Sequence, residues 1–280
     1  MIKRIFIILF ILLTSFFLYS KEYGLVLGGG GGKGAYEVGV WKALTEYGIA
    51  QKITAISGAS VGGLNAALFA SESLDRIEKL WIDEVPVSLV NKNEIISISQ
   101  IGLAKLIDNV NISSITNCLY PHIYVNAVRD SDWKICYFEL NQYQTKDIKQ
   151  LLLATSAAPF LCDKVFFEDD FYFDGGGLGL NIIGNNVPWK PIEELCINPK
   201  FDVDTIFIVF LKDYYLDYDN LISDYEVIPI IPSSWLGGLL LGTTNFNQNY
   251  IKNLIDLGYK DTVKVLQAKH FYPVSEFWFE

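Results

Sequence analysis

Histidine is scarce in this chain: 280 residues contain two, His122 and His270. That scarcity excludes a histidine-rich metal centre and confines any histidine-assisted catalysis to those two positions. Positive charge is also short. Lysine and arginine total 22 against 32 acidic residues, for a net charge of −10. No basic patch stands out, which argues against a nucleic-acid partner and removes electrostatic attraction to anionic lipid. The four cysteines, Cys118, Cys136, Cys162 and Cys196, are 18, 26 and 34 residues apart. That spacing fits no metal-ligand pattern. They are expected to be buried free thiols. A disulfide is the alternative should the chain be exported, and the spacing does not define its pairing.

Long apolar runs are nearly absent too. The exception is Ile5 to Tyr19, fifteen residues interrupted only by Thr14 and Ser15 and preceded by Lys3 and Arg4. A spanning helix needs roughly 20 apolar residues, so residues 1–20 read as a secretory signal peptide. Cleavage is expected after Ser20, although Leu18-Tyr19-Ser20 lacks two small residues. An uncleaved membrane anchor is the rival reading. Export would place the protein in a periplasmic or secreted compartment, and loss of Lys3 and Arg4 would make it two units more acidic. The whole chain is 51% hydrophobic and 19% charged, so the remainder, 21–280, has material for a sizeable core, which argues against disorder.

The order of elements indicates the fold class. Tyr23 to Leu27 reads as a buried strand ending in glycines, Ala35 to Tyr47 as a helix stopped by Gly48, and Ile53 to Ile56 as a second strand. Leu64 to Ala70 reads as a buried helix. This strand–helix alternation predicts an α/β fold with a parallel sheet flanked by helices. Further on, His122 to Val128 and Trp133 to Leu140 read as neighbouring strands. Thr145 to Ser156 reads as a helix, Phe171 to Phe173 as a short strand, Thr205 to Leu211 as a buried strand, and Asn247 to Lys269 as a long helix. Val227 to Leu241 is apolar but broken at Pro229 and Pro232, so it is not one membrane helix. Packed core is preferred there over a loop shaping a substrate entrance.

The glycine run Gly28 to Gly32, followed by Lys33 and Gly34, carries the first chemical signal. Glycine permits positive φ and lets successive N–H groups converge. Just before a helix, those donors suit an anion, either a phosphate or a developing oxyanion. A Walker loop would need glycine where Leu27 stands and a hydroxyl residue where Gly34 stands. Gly29, Gly31 and Gly34 match a dinucleotide fingerprint literally, but Ala50 to Ser60 lacks the acidic residue that motif requires. Nucleotide binding is therefore disfavoured, and the oxyanion reading stands.

That reading gains from Gly58-Ala59-Ser60-Val61-Gly62, a GxSxG elbow placed between a predicted strand and a predicted helix. Ser60 is the candidate nucleophile and needs a base. Ser60, Asp174 and His270 follow the chain order of an α/β-hydrolase triad, but His270 lies in an aromatic tail without a turn signal. His122 follows Pro121 at a strand start. Both read as packing or surface histidines. Asp174 ends a short aromatic strand and precedes Gly175, Gly176 and Gly177. A carboxylate there serves as base if it is partly desolvated and near the hydroxyl.

Taken together, these motifs resemble the patatin-like phospholipase family. Gly29-Gly30-Gly31-Gly32-Lys33-Gly34, followed by Gly39, resembles its oxyanion loop. Gly58 to Gly62 resembles its nucleophile elbow, and Asp174-Gly175-Gly176 its Asp-Gly-Gly signature. Ala154 to Phe160 and Gly258-Tyr259 are further points of similarity. The departure is Asn181-Ile182-Ile183, where many relatives carry Asn-x-Pro. The resemblance covers about 23–187, with 188–280 less certain. It implies a three-layer sandwich with a mainly parallel central sheet, a Ser60–Asp174 dyad, and neither metal nor organic cofactor. It also implies a lipid or membrane-surface acyl ester as substrate. A secreted lipid-binding protein with weak or no catalysis is the non-enzymatic alternative.

Overall fold

Side-chain alternation along the first strand sets the layers. In β1 (Glu22–Leu27), Tyr23, Leu25 and Leu27 enter one buried cluster, and Val26 enters another. This period of two is what a pleated strand buried on both faces requires. The computed structural model describes residues 22–90, 98–177, 184–197, 203–212 and 225–274. The predicted leader, 1–20, and Asn181 to Ile183 lie outside the described residues.

After β1 come α1 (Ala35–Glu46), β2 (Ile53–Ala59) and α2 (Val61–Ser71). Short helices α3 (Leu74–Lys79), α4 (Val85–Ser88) and α5 (Gln100–Asp108) lead to β3 (His122–Arg129) and β4 (Ile135–Glu139). Then follow α6 (Thr145–Thr155), β5 (Val165–Phe167), β6 (Asp170–Asp174), α7 (Lys190–Ile197), β7 (Val203–Val209), β8 (Glu226–Ile230) and α8 (Gln248–Ala268). The sheet runs β5-β6-β3-β2-β1-β7-β8, with β4 also on β3. Its centre, from β3 to β8, is parallel, and its β4, β5 and β6 pairings are antiparallel. One face carries α1, α2, α6 and α8. The other carries Ile192 and Leu195 of α7, packed near Val26, Ala55, Ile206 and Ile208. The expected α/β sandwich is observed.

Several boundaries differ from expectation for local reasons. The second strand runs on to Ala59 and α2 starts at Val61, so nothing but Ser60 separates them. The strand expected from Trp133 starts at Ile135, because Trp133 sits at φ 60° in the tight turn after β3. The stretch Val227 to Leu241 divides. Its first part is strand β8, where Ile228 and Ile230 are fully buried. Pro229 is tolerated because β8 is the last strand of the sheet and leaves one side unpaired. The second part is a loop with Leu239, Leu240 and Leu241 exposed, so packed core holds for only half of the segment. The four cysteines are free and half-buried. None of the described helices is long and apolar enough to cross a membrane.

Two glycines hold the longest helix against the first. A Cβ on Gly39 would fall 1.9 Å from the Ile255 carbonyl oxygen, and one on Gly258 would fall 2.0 Å from that of Tyr36. The α1 and α8 backbones therefore approach reciprocally where neither can carry a side chain. Beside this seam the Tyr36 hydroxyl donates to Asp261, 3.1 Å away. A rotamer change cannot relieve a clash with backbone. Gly258→Ala is thus expected to destabilise the fold by about 2 kcal/mol in urea unfolding, despite the better helix propensity of alanine. Gly238→Ala, whose nearest obstacle is a Trp235 ring atom at 3.9 Å, is the neutral control. Equal midpoints for the two variants would refute the seam.

Candidate active site

The register of β3 brings two distant segments together. It pairs with β2 as far as Asn126, opposite Ala59, and from Ala127 onward it pairs with β6, with Ala127 opposite Asp174. The residue after Ala59 and the last residue of β6 are thus delivered to one place. These are Ser60 and Asp174. The first two central strands end at the same level, Leu27 opposite Gly58, so the glycine loop after β1 joins them. A crevice beyond the carboxyl ends of parallel strands is where α/β sheets place ligands.

Ser60 sits at φ 52°, ψ −124°, a left-handed conformation for a residue with a side chain. Such strain costs about 1–3 kcal/mol and persists only where neighbours enforce it. Here they are identifiable. The Ser60 N–H donates to Thr155 Oγ1 at 3.0 Å. A Cβ at Gly62 would lie 2.5 Å from the Leu27 carbonyl oxygen, so α2 leaves the elbow pressed against the end of β1. Thr155 also accepts the Gly175 N–H on its carbonyl, 3.1 Å away. One fully buried threonine at the end of α6 therefore fixes both the elbow and the turn after Asp174.

Asp174 is 5% exposed. Its Oδ1 accepts the Gly176 N–H at 2.7 Å, and the Ser60 side chain is in hydrogen-bonding reach of the carboxyl. Burial pushes its pKa up to about 7, against a smaller lowering from the Ser60 and Gly176 hydrogen bonds. Asn186 joins this turn to the glycine loop. It donates through Nδ2 to the Gly29 carbonyl at 3.0 Å, and its own carbonyl accepts the Gly29 N–H at 3.1 Å. Gly31 takes φ 58°, and Gly31 to Gly34 form a single helical turn ahead of α1. No acceptor for the Gly30 N–H lies among the described residues.

Gly29, Gly30, Gly31, Lys33, Ser60, Val61, Asp174 and Gly176 line one cavity of about 590 Å³. That volume lies inside the range of about 300–1,000 Å³ usual for ligand pockets. Its polar atoms gather at these turns, and its depth is apolar, walled by Leu68, Trp81, Leu103, Leu106 and Leu152. Gly58, Ala59, Gly62 and Gly175 are buried behind the lining. Lys33 is 8% exposed, and its Cε lies close to the backbone of Gly242. Gly32 and Gly34 are buried beside it. Neither histidine lines the cavity. The His122 ring is 2.6 Å from Glu139, and His270 is exposed past the end of α8. Among the described residues there is no cluster of His, Cys, Asp and Glu arranged to hold a metal.

Sequence reasoning did not single out Thr155, Asn186 or Glu37. Asn186-Val187-Pro188 is itself an Asn-x-Pro run, five residues after the place where that pattern was sought. Glu37, fully buried in the first turn of α1, accepts from Asn65 at 2.7 Å, and Asn65 accepts from the Trp81 indole at 3.0 Å. Burial holds the Glu37 pKa well above the ordinary carboxylate range. Its position three residues after Gly34 was the available signal, but a first-turn glutamate ordinarily reads as an exposed helix-dipole partner.

Three comparisons bear on this arrangement. A family model described as patatin-like phospholipase matches residues 25–192. Lysophospholipase nte1 of Aspergillus terreus is 50% identical over 56 residues, which is 20% of this chain and 4% of that protein. Neuropathy target esterase sws of Drosophila persimilis is 47% identical over 55 residues, again 20% and 4%. The match thus spans a small fraction of those relatives. Among solved structures, VipD of Legionella pneumophila superposes with a TM-score of 0.57 at 14% identity, covering 89% of this chain and 67% of that one. At that identity the likeness concerns the fold alone.

A carboxyl whose pKa is raised in the folded state binds its proton more tightly there than when unfolded. The folded state is therefore penalised as pH rises from about 4 through about 7, by roughly 4 kcal/mol in all for a shift from 3.8 to about 7. Asp174→Asn removes that penalty and keeps an acceptor for the Gly176 N–H. It is expected to unfold at a higher temperature than the parent at pH 8, with the gap shrinking to less than half at pH 5. An equal gap at both pH values would contradict a raised pKa at this position.

Proposed function

We propose that this chain, which belongs to the patatin-like phospholipase family, is a lipid acyl hydrolase that works through a Ser60–Asp174 dyad and a glycine-loop oxyanion hole. The observation that carries the proposal is Asp174 itself. It is buried at the Ser60 hydroxyl, with its pKa lifted to about 7, the range in which a general base acts at neutral pH.

In the proposed mechanism Asp174 takes the proton from Ser60 Oγ as that oxygen attacks the acyl carbonyl. The carbonyl oxygen becomes an oxyanion held by backbone N–H groups of Gly30, Gly31 and Gly32, with each donor worth about 3 kcal/mol in comparable sites. Asp174 then returns the proton to the departing alcohol, leaving an acyl-serine. Water, deprotonated by the same carboxylate, attacks the acyl-serine. The fatty acid leaves and Ser60 recovers its proton. Strain at Ser60 holds the hydroxyl out from the turn, and Thr155 keeps the elbow and the acid turn in one frame. Lys33 borders the mouth, where it suits either bracing of the loop or attraction of an anionic head group.

The apolar wall of the cavity favours an aliphatic acyl chain, and the polar groups of the three turns that line it favour the ester. Family membership and the lysophospholipase and esterase named among the relatives support a lipid ester over a peptide or nucleotide. A histidine triad finds no support, because His270 is exposed and away from the cavity lining.

Purified protein is expected to release fatty acid from lysophospholipid and to label with a fluorophosphonate probe. Ser60→Ala and Asp174→Asn are each expected to lower turnover by about 10⁴-fold or more, whereas His270→Ala leaves it within about twofold. The parent rate should rise with pH through about 7, because the base acts only when deprotonated. Unchanged products in either dyad variant would remove that assignment, and loss of activity in His270→Ala would restore the triad.

A further inference from the structure

We propose that the cavity mouth is a membrane-docking collar for a zwitterionic lipid surface, formed by two loops that line the opening with uncharged, exposed apolar tips. The inference rests on the lipid-hydrolase reading above and adds how the enzyme meets its substrate.

The first loop follows α6. Its residues 156–162 contain no Asp, Glu, Lys or Arg, and Asp163 and Lys164 follow only at its return to β5. Within it Phe160 is 96% exposed, stands at φ 68°, and lines the cavity with Pro159 and Leu161. An aromatic residue prefers neither full exposure nor a left-handed backbone. Both disfavoured features at one position point to a role for the exposed ring. The second loop follows β8. Residues 231–247 are likewise without charge. Trp235, Leu239, Leu240 and Leu241 are 63, 56, 55 and 64% exposed. Gly238, Leu239 and Thr243 line the cavity, so the exposed apolar surface is continuous with the acyl-binding depth. Clustered exposed leucines with a tryptophan mark an interaction surface rather than ordinary scatter.

Backbone chemistry selects the occupant. A segment that enters a lipid interface must satisfy its own N–H and carbonyl groups. The leucine loop meets part of this need internally. Gly242 and Thr243 donate to the Gly238 carbonyl at 2.9 and 3.0 Å, and Thr244 donates to Leu239 at 2.9 Å. The loop's base is anchored. Leu236 and Phe246 are buried, and the Tyr250 hydroxyl donates to the Leu236 carbonyl at 2.6 Å. The tips are apolar and project, and an exposed tryptophan suits the water–lipid boundary. The net charge of −10 gives no attraction to anionic head groups, so apolar insertion into zwitterionic lipid is the binding mode. The same loop braces the glycine turn. A Cβ on Gly31 would fall 2.2 Å from the Thr243 carbonyl oxygen, and one on Gly32 would fall 2.1 Å from that of Asn245. Docking therefore seats the lipid surface directly over the oxyanion donors.

The test uses the full chain carrying Ser60→Ala, which leaves lipid uncleaved, and sedimentation with phosphatidylcholine vesicles. Adding Leu240→Asp with Leu241→Asp, or separately Trp235→Ser, is expected to reduce vesicle partitioning about tenfold or more. Raising salt from about 0.1 to about 1 M should not weaken binding of the Ser60→Ala protein. In the active background the same substitutions should leave hydrolysis of a soluble short-chain nitrophenyl ester within about twofold while vesicle hydrolysis falls. Equal partitioning of all forms, binding that requires anionic lipid, or a leucine-dependent dimer with unchanged vesicle binding would each overturn the collar. Binding is read on the Ser60→Ala protein, so failure of the hydrolase reading shows separately, as absence of ester cleavage.

Discussion

Everything at the candidate site depends on backbone reaching backbone with no side chain between. The glycine turn after β1 and the elbow after β2 lie near each other in the chain, whereas the turn after β6 comes from more than a hundred residues further on. They converge because β3 passes its pairing from β2 to β6 at Asn126 and Ala127. At that convergence Gly62 lies against the Leu27 carbonyl and Gly29 against the Ser60 Cβ. A methyl at Gly62 would collide with the end of β1, and one at Gly29 would collide first with the Asn186 side chain that braces the glycine loop. Thr155 then ties the elbow to the turn after Asp174, and the Asn185–Asn186 pair ties that turn to the glycine loop, Asn185 donating to the Gly175 carbonyl and Asn186 bonding Gly29. Geometry of this kind acts on a reaction only when its supports are rigid, and here those supports are sheet, helix ends and buried polar pairs.

The arrangement is held at an energetic cost. Ser60 carries a strained backbone, and Asp174 carries a carboxyl that burial penalises once it ionises. Together these amount to several kcal/mol, comparable with the net stability of an ordinary domain. The offset comes from elsewhere. Two apolar clusters cover both faces of the sheet, and each fully buried leucine, isoleucine or phenylalanine contributes about 1.5–3 kcal/mol. The seam between α1 and α8 secures the helix from which the glycine turn departs. Stability in the outer layers is thus converted into tension at the centre.

The sequence made some of this legible. Glycines show plainly where backbones must pass closely, so the loop at Gly28 to Gly34, the elbow around Ser60 and the turn after Asp174 were all readable. The central strands were readable from their apolar runs. What escaped was whatever depends on partners far along the chain. Thr155 falls inside the helix expected from Thr145 to Ser156, and its two bonds to Ser60 and Gly175 exist only after the sheet has formed. Asn186 looked like a loop residue. Glu37 looked like a surface carboxylate. The stretch from Val227 to Leu241 reads as packed core, although its first half is strand β8 and its second half carries the exposed Leu239, Leu240 and Leu241. Hydropathy reports how apolar a segment is, not which apolar phase it meets.

Histidine scarcity, the chain's most visible deficit, has a physical counterpart at the site. A base that works near neutral pH needs a pKa near 7, which imidazole has without assistance and an ordinary carboxyl, near 3.9, does not. Burial alone brings Asp174 into that range, so in the proposed mechanism the basicity of the site derives from its dryness. Water admitted to the cavity would solvate the carboxylate, lower its pKa and weaken it as a base. An enzyme built this way works best when something apolar at its mouth holds off bulk water while Ser60 is acylated, leaving only the water that deacylation consumes. A lipid surface seated on the uncharged loop tips at Phe160 and Leu239 would do so. The substrate phase would then maintain the low dielectric that makes the catalytic carboxylate basic.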